Sequence, residues 1–467
     1  MKSFVFICII PLLLIFSCNK SGKQTQKEPI MFTGAKGEVK LMTLDPGHFH
    51  AALVQKNMYE TVDSVVYIFA PESQDVLDHL ARIEGFNSRK EDPTCWNEKI
   101  YTGPDFLERM LSEKPGNVVV ISGNNARKTE YILEAVRSGI HVLADKPMVI
   151  TFSEFPVLKE AFRIAGENGV LLYDIMTERY EMTTILQKEI SMINEIFGEL
   201  VDGTPEEPAI TKESVHHFFK YVTGKPLVRP AWFFDIRQQG EGIVDVSTHL
   251  VDLIQWEAFP EQVLGPADVE MMRARRWTTE LTLNQFNQVT GFEKYPEYLK
   301  DDIDHGILKV YSNGEMLYKL RGRYAKVSVI WNFQAPEGAG DTHYSIMRGT
   351  RCNLIIRQGS YEKYQPVLYI ESLYEMMPET FEADLKVKFG EVAEKYPGIR
   401  LEKHDEKTWR IFVPDIYKVG HEAHFGEVTE KFLQYLQDGK LPDWEVPNMI
   451  TKYYTTTKAL EMASKGN

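Results

Sequence analysis

Short apolar runs alternate with segments of helical spacing along the first third of the chain. The apolar runs cover residues 39–44, 64–70, 99–102, 117–122, 141–145 and 170–176. Apolar residues recur at helical spacing over residues 51–60, 73–83, 104–114, 127–139 and 153–169. Apolar strands separated by helices of about ten or more residues form parallel sheets covered on both faces. The pattern therefore predicts an α/β protein with a doubly wound parallel sheet over residues 38–172.

The second half of the chain has longer strand-like runs and no regular crossover helices. These runs lie within residues 306–333, which include an Asn-Gly pair typical of a hairpin turn, and at 344–359, 366–372 and 408–415. Helical patterns at 180–197, 245–257 and 426–438 flank them, and residues 258–304 are mixed and largely polar. We predict an α+β domain over residues 173–467 with a large, mostly antiparallel sheet, which would hold substrate and mediate any homo-oligomer contact.

The composition is that of a globular protein with a sizeable core. The chain has 467 residues, 43% of them apolar, and a formal net charge of −14. The acidic balance argues against nucleic acid or an anionic membrane surface as a partner, because both carry negative charge. A small-molecule ligand is the expected partner.

The first 18 residues, MKSFVFICIIPLLLIFSC, have the pattern of an export signal. They carry one charge, Lys2, followed by an apolar core that is short for a membrane span. Cys18 after a small residue resembles a bacterial lipoprotein signal in which this cysteine is lipidated, and an ordinary secretory leader is the alternative. Residues 19–37 are expected to form a flexible linker. The predicted location is the cell envelope, facing the periplasm, with membrane contact through the lipid anchor only.

Several polar residues follow predicted strands of the first domain. Parallel sheets of this kind bind ligands outside the carboxyl ends of their strands. We therefore expect one shared edge to carry Asp45, Gly123, Asn124, Asn125, Asp145 and Lys146.

Three motifs resemble the glucose–fructose oxidoreductase, inositol dehydrogenase and MocA (Gfo/Idh/MocA) superfamily. Asp145-Lys146-Pro147 stands for the family's Glu-Lys-Pro, and GNNARK keeps the family's asparagine as Asn125. MTERYE and QGEGIVDVSTHLVD match the second domain's Arg-Tyr and Gly-rich Asp-x-x-x-His motifs. The resemblance implies a Rossmann-like domain that binds NAD or NADP, followed by an oxidoreductase C-terminal domain. The cofactor-binding residues it implies are Asp45, Gly47, His48, Gly123, Asn124, Asn125, Asp145 and Lys146.

Lys146, Asp245 and His249 are the predicted catalytic residues. Removing a hydride from a secondary alcohol needs a base for the hydroxyl proton and a cation beside the developing alkoxide. His249 and Lys146 suit those roles, and Asp245 would orient them from the same helical face. The alternative is that Asp245 caps a helix and His249 is a core histidine.

The dinucleotide fingerprint Gly-x-Gly-x-x-Gly is altered in TLDPGHFHAAL. Only Gly47 matches, whereas Asp45 stands at the first glycine and His50 near the third. A carboxylate at position 45 is unfavourable beside a pyrophosphate. The acid expected after the second strand is missing or shifted, so NAD, NADP and no cofactor all remain open.

Histidine and cysteine spacing assigns no metal ion. The pair in GHFH is the best candidate and the pair in HEAH is three apart, but the sequence fixes no third ligand, and sugar contacts or core histidines are favoured. Cys95 and Cys352 leave open whether a disulfide forms. The histidines considered are His48, His50, His216, His217, His421 and His424.

The leading functional prediction is an exported oxidoreductase acting on a secondary hydroxyl of a sugar or glycoside, with a tightly bound cofactor. A redox-assisted glycoside hydrolase or lyase of the same fold is one alternative, and a non-catalytic sugar-binding lipoprotein is another. The residues expected to bind the sugar are Arg179, Tyr180, Trp232 and Arg237.

Overall fold

The computed structural model describes residues 32–222, 225–374 and 379–466. The strands are β1 (Leu41–Leu44), β2 (Val65–Ala70), β3 (Asn97–Thr102), β4 (Val118–Ile121), β5 (His141–Asp145), β6 (Leu172–Ile175), β7 (Ile210–Phe219), β8 (Tyr221–Val222), β9 (Lys225–Pro226), β10 (Val269–Thr282), β11 (Ile303–Asp304), β12 (Ile307–Leu320), β13 (Arg323–Gln334), β14 (Thr342–Arg348), β15 (Cys352–Arg357), β16 (Val367–Ser372), β17 (Arg400–Lys403) and β18 (Thr408–Phe412). The α-helices are α1 (His50–Leu53), α2 (Gln74–Ser88), α3 (Phe106–Glu113), α4 (Lys128–Arg137), α5 (Phe155–Asn168), α6 (Met182–Ser191), α7 (Ser247–Ala258), α8 (Leu283–Thr290), α9 (Glu379–Lys395), α10 (His421–Asp438) and α11 (Glu445–Lys465).

The N-terminal sheet has six strands in the order β3-β2-β1-β4-β5-β6, and all of its pairings are parallel. Its central strands are buried on both faces, as the continuous apolar runs predicted. The Rossmann-like, doubly wound domain is thus confirmed. The predicted boundary between residues 172 and 173 falls inside β6.

The C-terminal domain is built on a ten-stranded sheet. Its main path runs β10-β12-β13-β7-β14-β15-β16-β18-β17, with β11 paired to β12. The β7–β13 pair is parallel and the other pairs are antiparallel. The predicted α+β domain with a large, mostly antiparallel sheet is confirmed.

Three local predictions differ from the structure. The Asn313-Gly314 pair lies inside β12 and makes no hairpin. Residues 258–304 include β10, an edge strand of the large sheet, and α8. Helix α1 ends at Leu53 instead of continuing to residue 60. Shortly after it, the Gln55 side chain donates to Glu98 of β3 over 2.7 Å.

The last two helices return to the N-terminal domain. Phe425 and Phe432 of α10 and Tyr453 of α11 belong to the same buried cluster as the strands of the parallel sheet. On α11, Lys452 Nζ lies 2.6 Å from Asp174 of β6 and 2.8 Å from Asp252 of α7. This helix therefore joins the two domains through apolar and ionic contacts.

The predicted leader, residues 1–18, and its lipidated Cys18 lie outside the described residues. The linker prediction is wrong for residues 32–37, because Phe32 is buried and packs edge-on against the His141 ring at 5.3 Å. Among the described cysteines, exposed Cys95 and buried Cys352 are both free thiols. None of the helices in the described ranges has the length and apolarity needed to cross a membrane.

Candidate active site at the edge of the parallel sheet

Lys146 directly follows β5 and reaches the C-terminal domain. Its Nζ donates to Oδ1 of Asp245 over 2.5 Å, although the two residues are 99 positions apart. The other carboxylate oxygen of Asp245 accepts from Gln239 Nε2 over 3.0 Å. The side chains of Lys146 and Asp245 are 11% and 7% exposed, and charges shielded from water interact more strongly. Two of the three predicted catalytic residues therefore meet.

The loop carrying Asp245 is pressed against β12. A Cβ on Gly242 would lie 1.7 Å from the carbonyl oxygen of Ser312, and a Cβ on Gly314 would lie 2.5 Å from Cβ of Ile243. Only glycine allows backbones to approach this closely. The close contact fixes the position of Asp245, and it explains why an Asn-Gly pair occurs within a strand.

Helix α7 begins at Ser247, two residues after Asp245. The prediction that Asp245 and His249 share one helical face is therefore wrong, because Asp245 lies in the turn that precedes the helix. Helix α7 has no side-chain N-cap, so Asp245 is not a capping residue either. Its carboxylate accepts hydrogen bonds from Lys146 and Gln239.

His249 lies in the first turn of α7 and is only partly exposed. Its Nδ1 is buried and has no hydrogen-bond partner among the described residues. Burial, and then the positive charge of Lys146, lower the pKa of His249 to about 3. The imidazole is therefore neutral near pH 7 and has a lone pair with which to accept a proton.

His48 and His50 converge on Asp145, the last residue of β5. Nδ1 of His50 lies 2.9 Å from Oδ2 of Asp145, and Nδ1 of His48 lies 3.8 Å from the same oxygen. Ser122 Oγ donates to that oxygen over 2.9 Å. Burial lowers the pKa of both histidines. Burial alone would raise the pKa of Asp145, but His50 and Lys128 hold it well below its usual range.

Glu178 adds a second carboxylate to this edge. Its Oε1 lies 3.3 Å from Nδ1 of His421, and the His421 ring lies 5.5 Å from that of His50. Burial alone would raise the pKa of Glu178, but the hydrogen bond and charge of His421, with His249, hold it well below the usual range. Histidines and carboxylates from both domains therefore surround Lys146.

The turn between β1 and α1 does not form a glycine cradle. Asp45 has a φ of +48°, and its carboxylate accepts from the Tyr131 hydroxyl over 3.0 Å. The backbone N–H groups of Gly47 and His48 both donate to the Ser122 carbonyl, over 3.2 and 3.3 Å. They are therefore already engaged within the protein. Helix α1 has four residues, which is too short for the long helix whose N-terminus stabilises a pyrophosphate.

The loop after β4 is bound by the C-terminal domain. Asn124 Nδ2 donates to Gln238 Oε1 over 2.7 Å, and Asn125 Nδ2 donates to the Gln239 carbonyl over 2.7 Å. A Cβ on Gly123 would lie 2.2 Å from the Asp45 carbonyl oxygen. Asn124, Asn125 and Gly123 thus hold protein contacts at the positions where the family resemblance implies cofactor contacts.

A cavity of about 310 Å³ lies between the turn after β1, the start of α2 and residues 227–233. Trp232 Nε1 donates to Oδ2 of Asp75 over 2.9 Å, and a Cβ on Gly47 would lie 3.1 Å from Cζ2 of the same indole. Trp232 therefore covers the turn. The cavity is lined by Gly47 and His48 but not by Lys146, Asp245 or His249.

The cavity is lined by charges of both signs. Asp75 and Asp78 line it together with two arginines, Arg82 and Arg229. Burial, with the neighbouring charge of Asp45, raises the pKa of Asp75 to about 6, and the Trp232 hydrogen bond opposes that rise. The turn offers no free amide at Gly47 or His48 for the pyrophosphate of NAD or NADP, because both donate to the Ser122 carbonyl.

Two of the predicted sugar-binding residues contact other parts of the protein. Arg179 is buried and forms a bidentate pair with Asp252 at 2.7 Å and a third contact with Glu445 at 2.7 Å. A guanidinium with that many carboxylate contacts is satisfied within the protein. Tyr180 is partly buried against the N-terminal core, and its sugar-binding role stays a prediction.

Of the other two predicted sugar-binding residues, Trp232 lines the cavity, whereas Arg237 binds Asp235 over 2.7 Å and Asp302 over 2.9 Å. The Arg237 side chain is still 49% exposed, and its sugar-binding role stays a prediction. Gln239, Ser122 and Glu178 were not predicted, because single polar residues outside a motif give no signal in one sequence. His50 carried a signal, since GHFH places two histidines two positions apart beside a ligand edge.

Comparison with known proteins defines the class. Residues 46–173 match the model "Oxidoreductase family, NAD-binding Rossmann fold", and residues 186–464 match "Putative oxidoreductase C terminal domain". The chain therefore belongs to the Gfo/Idh/MocA oxidoreductases that carry this C-terminal domain.

Individual relatives agree with this assignment. A "putative oxidoreductase" from Parabacteroides merdae, known from a crystal structure, is 56% identical over 94% of this chain and 100% of its own, with a TM-score of 0.92. Levoglucosan dehydrogenase in complex with NADH is 12% identical over 91% of this chain and 97% of its own, with a TM-score of 0.58, and shows a shared fold. An uncharacterised oxidoreductase of Schizosaccharomyces pombe is 27% identical over 33% of this chain, and the match spans 37% of that protein's length.

Proposed function

We propose that this protein is an oxidoreductase that acts on a secondary hydroxyl of a sugar or glycoside. The observation that carries the proposal is the shielded Lys146–Asp245 pair beside the neutral His249. Lys146 would hold the hydroxyl oxygen as negative charge develops on it, and His249 would accept the hydroxyl proton. Asp245 would position the ammonium group through its 2.5 Å contact.

A nicotinamide dinucleotide is the proposed redox partner, and it would supply the hydride acceptor. Support comes from the family and from the NADH-bound levoglucosan dehydrogenase, not from the turn after β1. If a dinucleotide binds, contacts other than that turn must hold it. We propose that the dinucleotide is retained between turnovers instead of being exchanged.

A redox-assisted glycoside hydrolase or lyase is the second candidate. Oxidation of one ring carbon acidifies the neighbouring C–H bond, so a glycosidic bond can be eliminated and the redox step then reversed. This reaction needs no net turnover of the dinucleotide, so it would suit a cofactor that is retained.

The test begins with the purified protein in the absence of added cofactor. Denatured protein is analysed for released NAD or NADP by absorbance and mass, and intact protein is assayed with sugars and with chromogenic glycosides. We expect bound dinucleotide, and turnover that Lys146→Ala abolishes while the dinucleotide content is unchanged. Activity that needs stoichiometric added NAD or NADP would indicate an ordinary exchanging dehydrogenase. Failure to bind dinucleotide and to turn over any sugar would favour a sugar-binding protein.

A further inference from the structure

We propose that His48, His50 and Asp145 form a binding site for one divalent transition-metal ion of the zinc class. The proposal concerns the altered turn and does not depend on the proposed oxidoreductase activity. Each residue offers one ligand atom, and these atoms all lie within 4.8 Å of one another. His48 is half-buried, and the other two are buried.

The distances suit a metal centre. His50 Nδ1 and His48 Nδ1 lie 2.9 and 3.8 Å from Oδ2 of Asp145. Two ligands of a tetrahedral zinc ion at about 2.0–2.1 Å are about 3.3 Å apart, which lies between these two values. Small side-chain adjustments would therefore bring the three atoms into one coordination sphere.

The chemistry of the three donors is that of a catalytic metal site. Two imidazole nitrogens and one carboxylate oxygen occur together in zinc hydrolase sites and in non-haem iron sites. Ser122 donates to Oδ2 of Asp145 over 2.9 Å, and the buried Lys128 donates to its backbone carbonyl over 3.0 Å. Metal ligands are commonly oriented by such outer contacts.

The local charge also favours a cation. The described residues around the cluster include two lysines, Lys128 and Lys146, and three acidic residues, Asp145, Asp245 and Glu178, which are counted here by formal charge. Three carboxylates against two ammonium groups leave one net negative charge. The ammonium of Lys146 is also partly neutralised by its 2.5 Å contact with Asp245. A divalent ion would therefore enter a site of opposite charge.

The site accounts for the altered turn. Near the positions where the family has glycines, this chain has Asp45, His48 and His50. The imidazoles of the two histidines lie beside Asp145 at the end of β5. With three protein ligands, a bound ion keeps a coordination position for an oxygen from outside the protein.

The experiment measures metal binding by the folded full chain. Protein treated with chelator and then dialysed is titrated with Zn²⁺ by calorimetry, and with Co²⁺ by visible absorption. We expect one equivalent per chain and an absorption band typical of cobalt with nitrogen and oxygen ligands. His48→Gln and His50→Gln should each weaken Zn²⁺ binding by more than about 100-fold, since losing even an outer contact costs 10- to 100-fold.

Two histidine variants outside the site are the matched controls. His305 is an exposed histidine, 95% accessible, and His216 is a half-buried one that lies 3.5 Å from Asp341 on the far sheet. His305→Gln and His216→Gln should leave the stoichiometry and affinity unchanged. Circular dichroism confirms that each variant is folded.

The proposal is overturned if wild-type protein binds no Zn²⁺ or Co²⁺ at micromolar concentration. It is also overturned if folded His48→Gln and His50→Gln both keep wild-type affinity. Either result would leave His50 as a hydrogen-bond partner that orients Asp145. Because the experiment measures metal binding, its failure can be told apart from a failure to find bound dinucleotide or sugar turnover.

Discussion

At the scale of single residues, the Lys146–Asp245 pair is better suited to the proposed catalysis than to stabilising the fold. Shielded ion pairs contribute little net stability, because the cost of desolvating both charges offsets their attraction. The pair nevertheless joins the two domains at the ligand edge of the parallel sheet. A shielded ammonium at such an edge is placed to stabilise an oxygen that gains negative charge.

Lys146→Ala should lower kcat on any identified substrate by at least about 100-fold, the lower range for a positioned catalytic group. The fold should persist, because Lys146 lies at the ligand edge and not in either core. Steady-state kinetics with circular dichroism checks both statements. An unchanged kcat in the folded variant would reject the catalytic role.

His249→Ala should lower activity strongly and Asp245→Asn less so, because the histidine carries the proton and the carboxylate positions the lysine. With the pKa of His249 at about 3, its neutral form persists to low pH, so the kcat profile should show no acidic limb near pH 6.5. Removing the positive charge in Lys146→Met should raise the pKa of His249, as measured by NMR titration. Small, equal losses from both substitutions would indicate a structural role.

At the scale of elements, two glycines decide where the loop that carries Asp245 lies. The loop before α7 crosses β12 at Gly242 and Gly314, where any side chain would collide with the opposite backbone. Because this loop is closely packed and not flexible, Asp245 stays within reach of Lys146. The helix that follows contributes His249 from its first turn.

Gly242→Ala should reduce both activity and stability, because its Cβ would lie 1.7 Å from the Ser312 carbonyl oxygen. Overpacking of this kind costs about 1–3 kcal/mol. The matched control is Gly390→Ala in α9, where a Cβ meets nothing within 4 Å and alanine favours the helix by about 0.5–1 kcal/mol. Urea unfolding and kcat are compared, and equal behaviour of the two variants would contradict the role of Gly242.

The sequence predicted elements well where local pattern decides them and poorly where distant contacts do. Continuous apolar runs predicted β1, β2, β4, β5 and β6, because burial leaves a local signature, whereas the edge strand β3 is largely exposed and was predicted from a short run only. The Asn313-Gly314 pair was wrongly predicted to form a turn, because its glycine is needed to leave room for Ile243. The motifs identified Lys146 and Asp245, but Asp145 as a partner of His48 and His50 required the fold.

At the scale of the whole molecule, a buried ionic network joins the domains. Lys452 is fully buried and contacts Asp174 of the first domain and Asp252 of the second. Arg179 binds Asp252 from the opposite side. Burial alone would raise the pKa of Asp252, but Arg179 and Lys452 hold it well below its usual range. The Asp252 carboxylate is therefore ionised at neutral pH.

Lys452→Met should destabilise the protein by about 3–5 kcal/mol, since two buried carboxylates lose a partner. Urea denaturation, followed by tryptophan fluorescence and circular dichroism, measures the change. Lys465→Met is the control, because that side chain is 72% exposed and surface changes are usually within about 0.5 kcal/mol. A loss no greater than that of the control would show that the network contributes little.

The return of α10 and α11 to the first domain has a consequence for how the chain is made. Phe425, Phe432 and Tyr453 cover part of the parallel sheet, yet residues 176–420 are translated between β6 and α10. At about 5–20 residues per second, that interval lasts about 12–50 s. During that time the part of the six-stranded sheet that these helices cover stays exposed, so the nascent chain presents an apolar surface to chaperones until its final helices emerge.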